Sequence, residues 1–231
     1  MPGTLYLVPT PIGNLEDITL RSLKVLREAD LIACEDTRET VKLLNQYQIS
    51  KPLLSFYSHN QPRRIPQIIS ELNAGKNIAL VSDRGTPGIS DPGYLLVASA
   101  VQNKVNVVPL PGANAALCAL TASGLPTSGF VYLGFLKRKP GKLKKEIMQA
   151  ALCGQTIIFY ESPQRVARTL KVCAQIFPLN TRVAVARELT KKFEEFIRGD
   201  LETVTKIIES RKVLGELVVV IEPPKKGKKS E

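Results

Sequence analysis

The first half of the chain alternates short apolar segments with segments of helical periodicity, and this alternation constrains the fold more than any other feature. Runs rich in Val, Ile and Leu occur at residues 5–8, 31–34, 53–57, 78–81 and 105–108. Helical spacing of apolar residues is found at 20–28, 40–47, 62–74, 94–102 and 113–123. Strands that alternate with helices in this way are typical of βαβ units on a parallel sheet. We therefore expect an α/β domain here.

The second half has a different texture, with more strand-like segments and fewer helices. Strand patterns lie at 130–135, 156–160, 182–187, 193–198 and 216–221, and helical patterns at 142–151, 163–177 and 201–210. Between the halves, GLPTSG (124–129) collects Gly, Pro and Ser, which indicates a linker. We expect an N-terminal α/β domain at 1–124, a C-terminal α/β domain at 130–224 with a cleft between the two, and a basic disordered tail at 225–231.

Composition narrows the possible partners. The formal charge of +11 favours a phosphate-rich partner or an anionic surface, although solubility alone would also explain it. Six of the nine residues at 137–145 (KRKPGKLKK) are basic. Four cysteines without a CxxC pair and one histidine offer too few ligands for a zinc site, so no metal is expected. No signal peptide and no apolar run of about 20 residues is present, which predicts a cytoplasmic protein without a membrane anchor.

Polar loops follow all five N-terminal strands. They read PTPIGNLED, EDTRET, SHNQ, SDRGTPGISDPG and PLPGAN. In a parallel sheet these loops emerge at one edge, where open α/β sheets bind their ligands. Turns and helix caps would also attract these residue types. Because GxGxxG, GxxxxGK[ST], GxSxG and HExxH are absent, the residues alone predict a small-molecule crevice that is not of the Rossmann, Walker or common hydrolase type.

Several longer motifs resemble a known family. They are LYLVPTPIGNLEDIT (5–19), LIACEDTRET (31–40), IALVSDRGTPGISDPGY (78–94), VVPLPGANAALCALTASGLPT (107–127), IIFYESPQR (157–165) and VARELTKKFEEFIRG (185–199). Together they resemble the tetrapyrrole methylase-like, S-adenosylmethionine-dependent methyltransferases, and within them the branch that modifies bacterial small-subunit ribosomal RNA. The resemblance implies a non-Rossmann fold of two α/β domains, with S-adenosylmethionine in the cleft between them, and a homodimer. The implied reaction is methylation of the 2′-hydroxyl of a cytidine in the decoding region of the small ribosomal subunit.

The resemblance also implies site residues. Its cofactor-lining positions are Thr10, Pro11, Ile12, Gly13, Asp83, Thr86, Asn114, Ala115, Tyr160, Ala186 and Glu216. A ribose hydroxyl is a very weak acid, so a base or a hydrogen-bond donor would help the reaction. Candidates on the substrate side are His59, Glu161, Arg187 and Glu188, with Glu35, Asp36 and Arg38 also near the crevice. Each charged candidate could equally belong to an internal salt bridge.

One departure from the family pattern and two alternatives accompany this interpretation. Arg84 stands beside Asp83 where relatives usually carry a small residue, so it could pair with that carboxylate or narrow the pocket. Aromatic residues suited to base stacking are scarce, whereas residues 137–145 would suit an RNA backbone. One alternative is a methylase of a corrin-type small molecule or of a protein side chain. The other is a non-catalytic RNA-binding factor with the same fold.

Overall fold

The computed structural model describes residues 1–224, so the predicted basic tail at 225–231 lies outside the described residues. The chain divides into two compact units, Met1–Asn114 and the part from Ala115 onward. Each unit contains one five-stranded sheet covered by helices. The α/β class predicted from the periodicity is confirmed.

The first unit is built on an all-parallel sheet. Its strands are β1 (Thr4–Leu7), β2 (Leu31–Cys34), β3 (Leu53–Ser55), β4 (Ile78–Val81) and β5 (Asn106–Pro109). Its helices are α1 (Leu20–Glu28), α2 (Thr37–Gln46), α3 (Gln61–Asn73) and α4 (Tyr94–Gln102), with a short 3₁₀ helix at Leu15–Asp17. The strand order is β3-β2-β4-β1-β5. Parallel pairing brings the carboxyl ends of all five strands to one edge, which we call the first loop edge.

Local sequence explains these elements. Thr19 begins α1 because its side chain accepts a hydrogen bond from the Ser22 amide, and Asp36 begins α2 in the same way through the Arg38 amide. The central strand β4 is buried along its whole length, as expected for a parallel strand covered on both faces. Leu80 belongs to the hydrophobic cluster on one face of the sheet and Val81 to the cluster on the other.

The second unit has a mixed sheet. Its elements are α5 (Ala115–Ser123), β6 (Phe130–Phe135), α6 (Pro140–Ala151), β7 (Thr156–Glu161), α7 (Val166–Cys173), β8 (Arg182–Arg187), β9 (Glu195–Asp200), α8 (Leu201–Glu209) and β10 (Leu217–Ile221). The order is β6-β7-β10-β8-β9. Strand β6 runs parallel to β7, while β10 is antiparallel to both β7 and β8.

Register brings the motifs of the second unit to one edge. Leu217, the first residue of β10, pairs with Glu161 at the end of β7 and with Arg187 at the end of β8. Phe135, at the end of β6, pairs with Tyr160. We call this the second loop edge. This edge carries the segments that follow β6 and β7, together with the turn between β8 and β9.

Helix α5 makes the unit boundary differ from the predicted one. The sequence places the first domain at 1–124, whereas the unit boundary in the structure falls between Asn114 and Ala115. The reason is packing, since α5 contacts β7, β8 and β10 of the second sheet. Ala116, Ala119 and Leu120 are its buried apolar residues. Helices α6, α7 and α8 contribute Ile147, Leu170 and Val204 to the main core of this unit.

Candidate functional site

The loops after β1 and β4 are joined into one rigid piece at the first loop edge. The Thr10 and Gly85 backbones exchange two hydrogen bonds, of 2.9 and 3.0 Å. The buried Thr10 hydroxyl donates to the Ser82 carbonyl at 3.0 Å, and the Ser82 hydroxyl donates to the Gly85 carbonyl at 3.1 Å. Gly85 has a φ of +80°, and a Cβ there would lie 3.3 Å from Ile12 Cγ2. Of the predicted cofactor residues here, Thr10, Pro11 and Ile12 are buried and Gly13 is exposed.

The loop after β5 is fastened to the same piece. The Thr86 hydroxyl donates to the Ala113 carbonyl at 3.0 Å. A Cβ on Gly112 would lie 2.5 Å from Pro9 Cβ, so only glycine allows this close approach of the first and fifth loops. Three of the five predicted polar loops are therefore held together by hydrogen bonds and close packing within the first unit.

Asp83 links these loops to the loop after β2. Its Oδ1 accepts a hydrogen bond from the Asp36 amide at 3.0 Å. Partial desolvation raises the pKa of Asp83, the Asp36 amide opposes that rise, and the Asp36 carboxylate adds to it. The positive charge of Arg84 is the weakest of these influences and lowers the pKa of Asp83. Asp36 itself pairs with Arg38 at 2.6 Å, and hydrogen bonds from Arg38 lower its pKa to about 2.

Two further carboxyl groups complete a four-carboxylate cluster of Glu35, Asp36, Asp83 and Asp91. Burial raises the pKa of Glu35, and the charges of Asp83 and Asp36 raise it further. Burial also raises the pKa of Asp91 to about 7, with additional contributions from Glu35 and Asp83. This cluster concentrates partly buried carboxyl groups at the first loop edge, where a hydrogen-bond donor or a cationic group of a ligand would stabilise their charged forms.

His59 lies in the loop after β3, on the exposed side of this edge. The loop is shaped by Asn60, whose side chain accepts from the Tyr57 amide at 2.9 Å and donates to the Ser55 carbonyl at 3.0 Å. The His59 ring lies edge-on to the Tyr57 ring, with centroids 6.5 Å apart. The imidazole is thus available to solvent.

Glu161 occupies a different environment in the second unit. Its side chain has 0% solvent exposure, and Oε1 lies 3.3 Å from Arg165 Nε. Oε1 also accepts from the Ser162 amide at 2.8 Å, and Oε2 accepts from the Thr169 hydroxyl at 2.7 Å. Both oxygens of this predicted catalytic group are used inside the protein. Arg165 in turn donates to the Leu136 carbonyl at 3.0 Å and to the Lys137 carbonyl at 3.3 Å.

Arg187 and Glu188 belong to an ionic network at the second loop edge. Arg187 Nε contacts Glu195 at 3.1 Å, and its guanidinium donates to the Leu214 carbonyl at 3.3 Å. The Glu188 carboxylate accepts from the Glu216 amide at 2.8 Å and from Lys191 at 2.9 Å. Burial alone would raise the pKa of Glu188, but these hydrogen bonds outweigh it and lower that pKa.

Lys191 joins two of the predicted residues. Its ammonium group contacts the carboxylates of Glu188 and Glu216, each at 2.9 Å. Burial would lower the pKa of Lys191, but the two carboxylates outweigh it and raise that pKa. Glu188, with a φ of +50°, begins a tight turn, and Gly215, with a φ of +90°, packs directly against its carboxyl group. The structure thus brings Arg187, Glu188 and Glu216 together.

The remaining predicted cofactor residues are spread over both units. Asn114 ends the first unit, and Ala115 is the first residue of α5 in the second. The Tyr160 ring contacts the rings of Tyr132 and Phe135 edge-on, with centroid distances of 5.3 and 5.4 Å. Ala186 is buried in β8 between β9 and β10.

Sequence reasoning missed three features of these edges. Asp91 is not among the predicted site residues, although it is a second aspartate in the loop that contains Asp83. Lys191 was not singled out, and its ELTKK context carries no local signal for a bridge between two carboxylates. The exposed rings at the second loop edge were also missed, because exposure depends on the tertiary structure.

Among residues 1–224, no group of three or more His, Cys, Asp and Glu side chains could hold a metal ion. Within that same range, no helix combines the length and the apolar character needed to cross a bilayer.

Comparison with known proteins gives the family. The model of the Tetrapyrrole (Corrin/Porphyrin) Methylases matches residues 4–205. The "Ribosomal RNA small subunit methyltransferase I" of Bacillus subtilis is 50% identical over 95% of this chain and 75% of its own length. The protein of the same name from Halalkalibacterium halodurans is 48% identical over 95% and 76%. That from Thermotoga maritima is 46% identical over 95% of this chain and 98% of its own length.

Solved structures agree on the fold. A cobalt precorrin-4 methyltransferase is similar with a TM-score of 0.69 at 17% identity, over 94% of each chain. The uroporphyrin-III C-methyltransferase of Thermus thermophilus, solved with S-adenosyl homocysteine, gives 0.66 at 18% identity over 94% of this chain and 97% of its own. The motif resemblance and the two-sheet α/β architecture are thereby confirmed. The chain belongs to the tetrapyrrole (corrin/porphyrin) methylase family of S-adenosylmethionine-dependent methyltransferases.

Proposed function

We propose that this protein methylates the 2′-hydroxyl of a cytidine in the decoding region of small-subunit ribosomal RNA, with S-adenosylmethionine as the methyl donor. The observation that carries the proposal is the 43–50% identity, over about 95% of the chain, to relatives named for methylation of small-subunit ribosomal RNA. The net charge of +11 is consistent with a polyanionic substrate. Ribosomal subunits are assembled in the cytoplasm, and we place the reaction there.

The first loop edge fits the cofactor chemically. S-adenosylmethionine supplies an electrophilic methyl group on a cationic sulfonium centre, together with an amino group and hydroxyl groups that donate hydrogen bonds. Glu35, Asp83 and Asp91 offer carboxyl groups whose pKa values are raised mainly by burial, so a cationic or hydrogen-bond-donating ligand would stabilise their charged forms. The joined loops around Thr10 and Thr86 offer a rigid backbone for further hydrogen bonds. We propose that these loops hold the cofactor and that Asp83 keeps the second and fourth loops in register.

The second loop edge supports a positioning mechanism better than proton abstraction by a carboxylate. Glu161 has no exposed oxygen to receive a proton, and the lowered pKa of Glu188 makes it a weak base. Arg187 is fixed by Glu195 and by the Leu214 carbonyl, so its remaining N–H groups can donate to the substrate oxygen as it acquires negative charge. We propose that orientation of the hydroxyl supplies most of the rate, because in-line displacement depends on alignment.

The alternatives from the sequence are not favoured. Corrin-type methyltransferases and diphthine synthases share the fold at only 13–19% identity, whereas the ribosomal RNA enzymes share 43–50%. A non-catalytic factor with this fold is also disfavoured, since both the family and these relatives are methyltransferases.

Methyl transfer to isolated small ribosomal subunits tests the proposal. Subunits from a strain that lacks the modification would be incubated with the protein and labelled S-adenosylmethionine. Alkaline hydrolysis would then locate the product, because a 2′-O-methyl group blocks cleavage of the following phosphodiester bond. We expect one protected position in the decoding region, and isothermal titration should show binding of both S-adenosylmethionine and S-adenosylhomocysteine. Cofactor binding without transfer to the subunit, alongside transfer to a corrin or a protein, would refute the assignment.

We also propose that the protein is a homodimer. Helix α4 exposes Tyr94, Leu95 and Val101 along one side, and such a run of large apolar side chains favours burial against a second copy. Sedimentation at micromolar concentration should give twice the monomer mass, and Leu95→Glu should reduce it to the monomer value. A monomeric wild-type protein would contradict this proposal.

A further inference from the structure

Exposed aromatic rings and cations are interleaved at the second loop edge. Phe135, the last residue of β6, is 61% exposed, and Phe193, two residues before β9, is 64% exposed. Single exposed apolar residues are common on protein surfaces and need no explanation. These two differ because the sheet order places both at one edge, and because each lies within two residues of a basic residue in the chain.

A bulge in β6 is responsible for the exposure of Phe135. Tyr132 pairs with Ile158 and Phe135 with Tyr160, so two residues of β6 stand opposite one residue of β7. Without the extra residue, Phe135 would follow Leu133 towards the core beneath helices α6 to α8. Gly134, with a φ of +62°, makes the bulge possible. The ring instead contacts Tyr160 edge-on at 5.4 Å on the opposite face of the sheet, where much of it remains exposed.

The cations beside these rings are free of carboxylate partners within residues 1–224. Lys137, Arg138 and Lys139 begin two residues after the end of β6, and none of the ion pairs in the described chain involves them. Lys192 lies 5.8 Å from the centre of the Phe193 ring. Three more lysines occupy the first two turns of α6, where the helix dipole disfavours positive charge. This arrangement opposes helix stability, so a partner with negative charge explains it better than the fold does.

The basic segment is also held in place before any partner arrives. Arg165 donates to the carbonyls of Leu136 and Lys137, and Glu146 accepts from the Lys137 amide at 3.2 Å. Because the buried Glu161 fixes Arg165, the backbone that carries Arg138 and Lys139 has a defined path. A pre-ordered backbone lowers the entropic cost of binding an extended ligand.

We propose that the second loop edge binds a single-stranded segment of the RNA substrate, with bases stacked on Phe135 and Phe193 and phosphates near Arg138, Lys139 and Lys192. This rests on the proposed function for its substrate class. Aromatic faces flanked by cations are how proteins hold unpaired strands. Phe193 lies next to β9, and four strand spacings separate β6 from β9, about 19 Å, which exceeds the 3.4 Å step between stacked bases. The two rings therefore hold bases that are not stacked on each other, which requires an open strand.

Fluorescence anisotropy with a labelled single-stranded fragment of the decoding region tests the proposal. Phe135→Ala and Phe193→Ala should each raise the Kd by roughly 5- to 100-fold, the range that loss of one stacked base produces. Phe135→Tyr keeps the ring face and should restore binding. Phe130→Ala is the matched control, because Phe130 is the 40% exposed residue at the other end of β6. It should bind as the wild type does.

Removal of the cations has a distinct signature. In the double variant Arg138→Gln/Lys139→Gln, the negative slope of log K against the logarithm of the salt concentration should become shallower by about 1.4, the value for two phosphate contacts on a single strand. Arg21→Gln, which removes an exposed cation on α1, should leave the slope unchanged. A perfectly paired RNA duplex should compete poorly.

The outcomes separate this inference from the proposed function. If the wild type methylates ribosomal subunits while Phe135→Ala and Phe193→Ala bind RNA no more weakly than Phe130→Ala, the edge is not the RNA surface and the proposed function stands. If those variants shift sedimentation from dimer to monomer with unchanged RNA affinity, the rings belong to a contact between copies and the inference is wrong. If the wild type transfers no methyl group to subunits and binds no RNA, the proposed function fails as well.

Discussion

Replacement of Glu161 by glutamine distinguishes a structural carboxylate from a catalytic one. The isosteric change removes the negative charge while keeping the size and shape of the side chain. The structure predicts that the charge is needed for stability, because the group is fully buried and receives three internal partners. A catalytic base would instead lose activity by a factor of 10²–10⁴ with an unchanged fold.

The expected loss of stability follows from the contacts. Hydrogen bonds to a charged acceptor contribute about 1.5–3 kcal/mol, against about 1 kcal/mol for neutral ones, so the Ser162 bond weakens by about 1 kcal/mol. Breaking a buried ion pair costs about 3–5 kcal/mol, but the Arg165 side chain is 26% exposed and water recovers part of that. We expect a total loss of about 2–4 kcal/mol. For a chain of this size that corresponds to a fall in Tm of roughly 4–16 °C.

Thermal unfolding and single-turnover methylation, measured on the same preparations, provide the assay. Glu202→Gln serves as the control, because Glu202 forms an exposed pair with Lys206 and should unfold like the wild type. A second loss should appear in RNA affinity, since Arg165 would release the Leu136 and Lys137 carbonyls. A variant with wild-type Tm and a thousandfold slower methyl transfer would refute this reasoning and return Glu161 to the catalytic site.

Three further outcomes are expected. Burial raises the pKa of Asp91 to about 7, so between about pH 4 and 7 the folded state binds a proton that the unfolded state has lost. The free energy of unfolding should therefore fall as the pH rises through that window, and Asp91→Asn should flatten the pH dependence of the urea midpoint. Gly215→Ala should destabilise the protein by about 2–4 kcal/mol, because its Cβ would overlap the Glu188 carboxyl group. Gly124 has a φ of +78° and open space around it, so Gly124→Ala should cost only about 1–2 kcal/mol of backbone strain. Equal losses for the two glycines would disprove the contact. Calorimetric titration should show that Asp83→Ala loses affinity for S-adenosylmethionine. Asp83→Asn should largely keep that affinity, because its side chain still accepts the hydrogen bond from the Asp36 amide. Wild-type affinity in the alanine variant would limit this residue to a loop contact.

The separate elements were predictable because their signals are local. The apolar runs that become β1 to β10, and the helical periods that become α1 to α8, depend on residues within one or two turns of each other. Helix boundaries differ from the predicted ones where a capping side chain sets the first residue of the helix. Helix α2 begins at Thr37 rather than at residue 40, because the Asp36 side chain caps it. The motifs were long enough to identify the family from sequence.

The tertiary structure alone decided how those residues combine. Nothing near Asp91 in the chain indicates that burial and the charge of Glu35 raise its pKa, because Glu35 lies in the loop after β2 and Asp91 in the loop after β4. Burial separates Glu161 from Glu188, two carboxylates that sequence reasoning placed in one class. One bulge residue exposes the ring of Phe135. Periodicity and motifs thus determined the elements, the family and the general location of the site. Charge pairing, desolvation and exposure depend on distances between residues far apart in the chain, so only the folded structure could decide which side chains act on a ligand and which hold the fold together.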